Sequence, residues 1–250
     1  MKIKIDIFFL FERLNIVYYY IGLKMEIDKQ TEEKFLELFS KALNKTNLEL
    51  EFLLQHDNNR IDQKIFEKIL RELRKFKNLK MYKSEVLDIQ CKGFRFSING
   101  NAAIRKYCST EKITDDIKKD ITIQKKTKKE HFFEREYNFK CNLKEEVNYD
   151  FENASVKSIM RDWISHEKTF RYKKRYTFGD TDKMFQYDLS VVKSTQWDKV
   201  RKTYKYAKTF KEANILNNPE EYELEIEYIG STDKKENGVY YINDYYNKLM

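Results

Sequence analysis

The sequence predicts a mainly β domain of the α+β class: an eight-stranded antiparallel barrel with covering helices. Three observations predict it. Apolar and polar residues alternate with period two over eight segments, while helical spacing is confined to four. The polar face of several strands is charged and sorted by sign, whereas the water-facing side of a sandwich carries mixed polar residues. Two runs near opposite ends, Leu48-Glu49-Leu50-Glu51-Phe52 and Tyr222-Glu223-Leu224-Glu225-Ile226-Glu227-Tyr228, put all their glutamates on one face and their apolar side chains on the other.

Taken in order, Ile3 to Leu23 is rich in Phe, Tyr and Ile but is broken by Lys4, Asp6, Glu12 and Arg13, which excludes a membrane span. No small-residue cleavage site follows, so a signal peptide fits poorly. Residues 1–30 are therefore set apart as an N-terminal extension, either an extra element on the domain or sequence ahead of a start at Met25. The domain proper runs over 31–250. Phe35, Leu38, Phe39, Ala42 and Leu43 have helical spacing over Thr31–Leu43, with Glu32 and Glu33 in the first turn where the helix dipole favours them. The first acidic strand follows. Ile61, Ile65, Phe66, Ile69, Leu70, Leu73 and Phe76 mark a second amphipathic helix. Then come candidate strands over Tyr82–Gln90, Gly93–Ile98, Asp120–Lys126, Glu134–Val147, Lys168–Phe178 and Lys183–Lys193. A helix over Trp197–Ala213, apolar at Trp197, Val200, Tyr204, Ala207 and Phe210, precedes the last strand, and a final helix runs through Ile242, Tyr245, Tyr246 and Leu249.

Composition narrows the function. The 250 residues carry a net charge of +8 with 36% charged side chains, so both signs are dense, and 18 Tyr with 18 Phe argue against disorder. One proline, Pro219, and six glycines leave few tight hairpins. Cys91, Cys108 and Cys141 show no CxxC spacing and His56, His131 and His166 no HxxxH, which excludes a structural zinc site. An odd cysteine count fits a reduced, cytoplasmic compartment.

The charges suggest a site. Glutamates of two neighbouring strands repel one another, and a divalent cation relieves that repulsion. Oxygen-only donors point to Mg²⁺ or Mn²⁺. Arg171, Lys173 and Arg175 share one strand face, with Tyr172, Lys174 and Tyr176 on the other. Such cations bind phosphate oxygens. Arg95, Lys140, Lys144 and Asp188 likewise oppose apolar faces of their own strands. Metal on one wall and cations on the other is the arrangement expected around a triphosphate. Alone, a Glu-x-Glu run is most often a solvated face and an Arg-x-Lys-x-Arg strand a surface stripe. Together in one domain, each supplies what the other lacks.

Glu49-Leu50-Glu51, Arg171-Tyr172-Lys173-Lys174-Arg175-Tyr176, Asp188 to Ser194 and Tyr222 to Tyr228 occur in an order and spacing that resembles the RNA triphosphatase domain of viral mRNA capping enzymes. These belong to the triphosphate tunnel metalloenzymes, with the large cytoplasmic DNA viruses the nearest group. The resemblance covers Asn47 to Gly230 and implies hydrolysis of the γ-phosphate of 5′-triphosphate RNA in an eight-stranded tunnel. It implies that Glu49, Glu51, Glu225 and Glu227 hold the metal, and leaves open which of Glu223, Glu225 and Glu227 touches the ion and which holds the water. Glu223, Glu225, Arg171, Lys173 and Arg175 are its implied catalytic residues, and Arg95, Lys126, Lys140, Asp188 and Lys193 its substrate contacts. A bulge would turn Lys126, Lys140 or Lys193 outward. Implied partners are guanylyltransferase and methyltransferase domains or subunits of a capping enzyme, with no membrane, in the cytoplasm, a viral factory or a virion. No Lys-x-Asp-Gly motif or Gly-rich methyl-donor loop is present, so the chain is expected to stand alone or to head a longer enzyme. Two other readings remain. One is a tunnel enzyme for inorganic triphosphate, polyphosphate, thiamine triphosphate or ATP. The other is a non-catalytic basic β-domain that binds single-stranded RNA.

Overall fold

Eight period-two segments pair edge to edge until the last meets the first. The computed structural model describes residues 29–43, 47–56, 59–77, 79–134, 139–180 and 185–229. The strands are β1 (Leu48–His56), β2 (Leu79–Cys91), β3 (Phe94–Asn99), β4 (Ile121–Glu134), β5 (Phe139–Tyr149), β6 (Thr169–Asp180), β7 (Phe185–Ser194) and β8 (Glu221–Tyr228). All neighbours are antiparallel in the order β8-β7-β6-β2-β3-β4-β5-β1. A β1–β8 ladder from Leu50 opposite Tyr228 to Leu54 opposite Leu224 closes the barrel, and closure removes the exposed edges of an open sheet. The β2–β3 turn uses Lys92 and Gly93 at φ 48° and 82°, the left-handed pair a two-residue hairpin needs.

The barrel is apolar outside. On one side α1 (Lys29–Leu43) and α2 (Gln63–Leu73) cover it, and Phe35, Phe39 and Phe66 pack with Phe52, Phe139 and Leu224. Asp62 caps α2 by accepting the Ile65 amide at 2.8 Å. On the other side α3 (Asn101–Thr110), α4 (Asp115–Lys118), α5 (Ala154–Arg161) and α6 (Phe210–Ala213) cover it, and Ile104, Tyr107 and Val156 join Leu87, Phe96 and Phe170. Each such side chain contributes about 1.5–3 kcal/mol on burial. Because both cores lie outside the strands, the inner face is left mostly to polar residues. Among the described residues no helix is long and apolar enough to cross a membrane.

Several expectations change. The helix over Trp197–Ala213 does not form: Trp197–Asp198 pairs with Thr203–Tyr204 as a small hairpin, and only α6 is helical. The Asp198 carboxylate accepts the Val200 and Arg201 amides and Lys202 takes φ 50°, so local turn bonds outcompete the helix. Helices α3 and α5 were not anticipated, although Asn153 caps α5 in the expected manner by accepting from Ser155 and Val156. Strand β4 continues past Lys126 to Glu134, and a shift in register between Lys128 and Glu130 hides its alternation. The stretch Ile3–Leu23, the final helix near Tyr245 and all of the 1–30 extension except Lys29 and Gln30 lie outside the described residues.

Candidate active site

Strand parity decides which side chains enter the barrel. On β6, Phe170, Tyr172, Tyr176 and Phe178 join the outer cores, so Arg171, Lys173 and Arg175 face inward and Lys174 is exposed outside. On β1 and β8, Leu50, Phe52, Leu224 and Ile226 are outer-core residues, which turns Glu49, Glu51, Glu223, Glu225 and Glu227 inward. The ladder sets Glu51 directly opposite Glu227, and Glu225 opposite Asp188 of β7. Arg175 and Glu225 each keep 25% side-chain accessibility within these walls, so the interior is an open lumen and not a packed core.

Each inward cation of β6 has a carboxylate partner. Arg171 Nη2 donates to both Glu223 oxygens at 2.8 Å. Lys173 Nζ lies 2.5 Å from Asp88 of β2. Arg175 Nη1 is 3.0 Å from Asp188 and its Nη2 3.6 Å from Glu225, while its Nε donates to Ser190. Burial pushes the Lys173 ammonium down, against the pull of Asp88. Burial would raise Asp88, but the charges of Lys173 and Arg95 and hydrogen bonds from Lys173 and Ser97 outweigh it and hold the carboxyl well below the usual carboxylate range.

The acidic wall is less evenly matched. Lys126 Nζ pairs with Glu49 at 2.9 Å and also with Glu146, and Lys144 pairs with Glu51, which accepts from Asn142 at 3.0 Å. Burial, then the charges of Glu51 and Glu223, raise Glu225 above the usual range. Burial, then Glu49 and Asp188, push Glu227 up to about 8. These crowded carboxyls form an all-oxygen donor set of a kind that fits a hard divalent cation. Among the described residues no three His, Cys, Asp or Glu side chains converge as a ready-made metal cluster, because Glu49, Glu51 and Glu223 are turned toward lysine or arginine.

Arg95, Lys126, Lys140 and Asp188 also lie on the inner face of their strands. The bulge in β4 falls after Lys126 and so leaves it inside. Lys193 is a correction. It shares the outer face with Leu189 and Val191 and donates to the Leu216 carbonyl at 2.7 Å. Asp188 and Lys193 are an odd number of residues apart, and β7 pairs without a register break, so they face opposite ways. Asp88, Asn142 and Glu146 belong to the lumen but were absent from the expected site. Parity within Leu87-Asp88-Ile89 could have found Asp88.

The closed eight-stranded fold is similar to that of solved RNA triphosphatase domains. The chain is similar to the RNA triphosphatase domain of a trifunctional mimivirus mRNA capping enzyme, at 17% identity and a TM-score of 0.58 over 86% of this chain and 96% of that one. A monoclinic form of the mimivirus capping enzyme triphosphatase gives 17% identity and a TM-score of 0.57 over 88% and 97%. The S. pombe RNA triphosphatase Pct1 aligns at 11% identity over 86% and 83%, with a TM-score of 0.49. No protein-family model matches the sequence, and no curated protein matches it.

Proposed function

We propose that the protein is a metal-dependent RNA 5′-triphosphatase of mRNA cap formation. The observation that carries the reading is one lumen with a cationic wall, Arg171, Lys173 and Arg175, and an acidic wall whose Glu225 and Glu227 carboxyls are held above their ordinary range. The fold it shares with the mimivirus triphosphatase domain supports it. In the reaction, water adds to the γ-phosphorus, the bond to the β–γ bridging oxygen breaks, and orthophosphate leaves a diphosphate-ended RNA. Arg171, Lys173 and Arg175 would bind the phosphate oxygens and stabilise the charge that gathers on the bridging oxygen. Glu49, Glu51, Glu225 and Glu227 would hold Mg²⁺ or Mn²⁺, with Glu223 beside them. Bound there, the ion supplies charge neutralisation and polarises the terminal phosphoryl group. The product is the substrate class of a guanylyltransferase, so capping domains or subunits are the proposed partners, in the cytoplasm.

The test is phosphate release from triphosphate-ended RNA with Mg²⁺ or Mn²⁺ and after chelation. The expected result is release that stops in excess chelator and resumes on adding metal. Full turnover with metal removal confirmed would overturn the metal assignment. Turnover of inorganic triphosphate alone would move the assignment to the small-substrate tunnel enzymes.

A further inference from the structure

A cavity of about 600 Å³ opens at the end of the barrel where β6 begins and β7 ends. Arg95, Arg171 and Asp88 from the lumen line it on one side, and Trp197 and Tyr204 of the small hairpin line it on the other. The hairpin that replaced the expected helix therefore stands directly at the mouth. Its aromatic residues do not pack inward: Trp197 is 51% exposed, Tyr204 45% and Tyr206 50%. They touch edge to face in series, with centroids 5.0 Å apart for Trp197–Tyr204 and 6.4 Å for Tyr204–Tyr206. Tyr206 lines a second cavity of about 410 Å³, which shares Gln90 with the first, so the aromatic row leads away from the mouth. Around it Lys199, Arg201, Lys202, Lys205 and Lys208 are exposed, and Asp198 is the one acid between Trp197 and Lys208.

The row is held in place. Lys168 and Ala207 exchange backbone hydrogen bonds at 2.8 and 3.0 Å. The buried Lys168 ammonium donates to the His166 and Lys208 carbonyls at 2.7 and 2.6 Å and sits 5.1 Å from the Trp163 ring centroid. Lys205 Nζ donates to Gln196 at 2.9 Å, and Gln196 to Asn218 at 3.1 Å. Exposed aromatic side chains on an anchored hairpin, ringed by cations and continuous with a phosphate-binding lumen, match what single-stranded nucleic acid requires: faces for bases and charge for the backbone.

We propose that Trp197, Tyr204 and Tyr206 form a stacking platform for the first nucleotides of a single-stranded RNA whose 5′ phosphates enter the lumen past Arg171. The inference rests on the triphosphatase reading and adds what makes the substrate an RNA chain and not a free triphosphate. Trp197 is the exposed one of the chain's two tryptophans and Trp163 is buried, so RNA binding is read directly as fluorescence quenching.

The experiment titrates the full chain with a 5′-triphosphate RNA decamer, the same decamer with a 5′ hydroxyl, and inorganic polyphosphate. It also compares hydrolysis of the RNA and of inorganic triphosphate in wild type, Trp197→Ala, Tyr204→Ala and Trp197→Phe. Both RNAs are expected to quench at concentrations where polyphosphate does not. The alanine variants are expected to raise KM for RNA about tenfold, the size of one lost base stack, with kcat little changed. The ratio of RNA to inorganic triphosphate turnover then falls by the same factor, and Trp197→Phe restores it. Equal quenching by polyphosphate, or an equal loss on both substrates, overturns the platform. If wild type hydrolyses neither substrate, the triphosphatase reading fails while the RNA titration still decides the platform.

Discussion

The two walls of the lumen are built from the same kind of strand yet settle their charges in opposite ways. On the basic wall each cation of β6 meets a carboxylate: Arg171 meets Glu223, Lys173 meets Asp88, and Arg175 meets Asp188. On the acidic wall the carboxylates crowd one another, and burial with neighbouring negative charge raises Glu225 and Glu227 above the usual carboxylate range. The basic wall is thus electrostatically complete within the chain. The acidic wall has charge to spare, and on the proposed reading a divalent cation takes it up.

The largest expected effect breaks the basic wall. Lys173→Met leaves Asp88 buried without its cation and should cost about 3–5 kcal/mol of stability, read by urea unfolding. Adding Asp88→Asn should recover most of it. A single-variant loss below about 1 kcal/mol would mean the pair is not held as described.

Next is the contrast between the two faces of β6. Arg175→Ala should lower triphosphate turnover by a factor on the order of 10²–10³, as for loss of a charge-stabilising group. Lys174→Ala, one residue away on the exposed outer face, should leave it nearly unchanged. Similar losses in both would erase the distinction between lumen and surface.

The two walls should also answer pH from opposite sides. Glu227 is pushed from 4.5 in its ordinary state up to about 8 in the fold, so the folded protein binds more protons than the unfolded chain between those values. Its contribution to stability is whole below about pH 4.5 and is lost as pH rises through about 8. Asp88 is depressed, so its contribution is present above its ordinary value of 3.8 and is lost only as pH falls below it. In chelator, Glu227→Gln should flatten the decline in Tm between pH 5 and 8 and leave the acid limb unchanged. An unchanged slope would sink the assignment.

Smaller still is the effect of metal on the resting protein. Mg²⁺ or Mn²⁺ at about 100 times its Kd should stabilise the fold by about 2.7 kcal/mol, and Glu51→Gln with Glu225→Gln should remove that gain. The smallest effect is expected at Lys193→Ala. On the outer face it should change stability by no more than about 0.5 kcal/mol and turnover not at all.

The barrel was legible because its inner and outer faces alternate with period two. Leu48 to Phe52 and Tyr222 to Tyr228 show this without interruption, Arg171 to Tyr176 shows it but for Lys174, and these runs carry both walls. Lys193 was misplaced because it was carried over from the resemblance, although its odd distance from Asp188 already put it outside. Parity within Leu87-Asp88-Ile89 marks Asp88 as inward, but its role depends on Lys173 of a neighbouring strand, and pairing across strands is not written in local spacing. The Trp197–Ala213 segment has helical spacing, but spacing cannot weigh the Asp198 turn bonds that compete with it. The lysine-rich middle of β4 was unreadable because the bulge shifts its alternation midway.

That bulge shows how length is policed in such a wall. Glu130 meets Lys41 of α1 at 2.7 Å only because an extra residue after Lys128 moves the rest of β4 one place along. Lys126 stays in the lumen, while Phe132 reaches Phe35 outside. Each barrel strand therefore behaves as a text with a frame of two. Losing or gaining one residue exchanges lumen and helix-facing side chains as far as the next turn. Two residues restore the frame, and so does one residue with a bulge. Relatives of this chain should vary by single residues in their loops, and within their strands by pairs or by bulges.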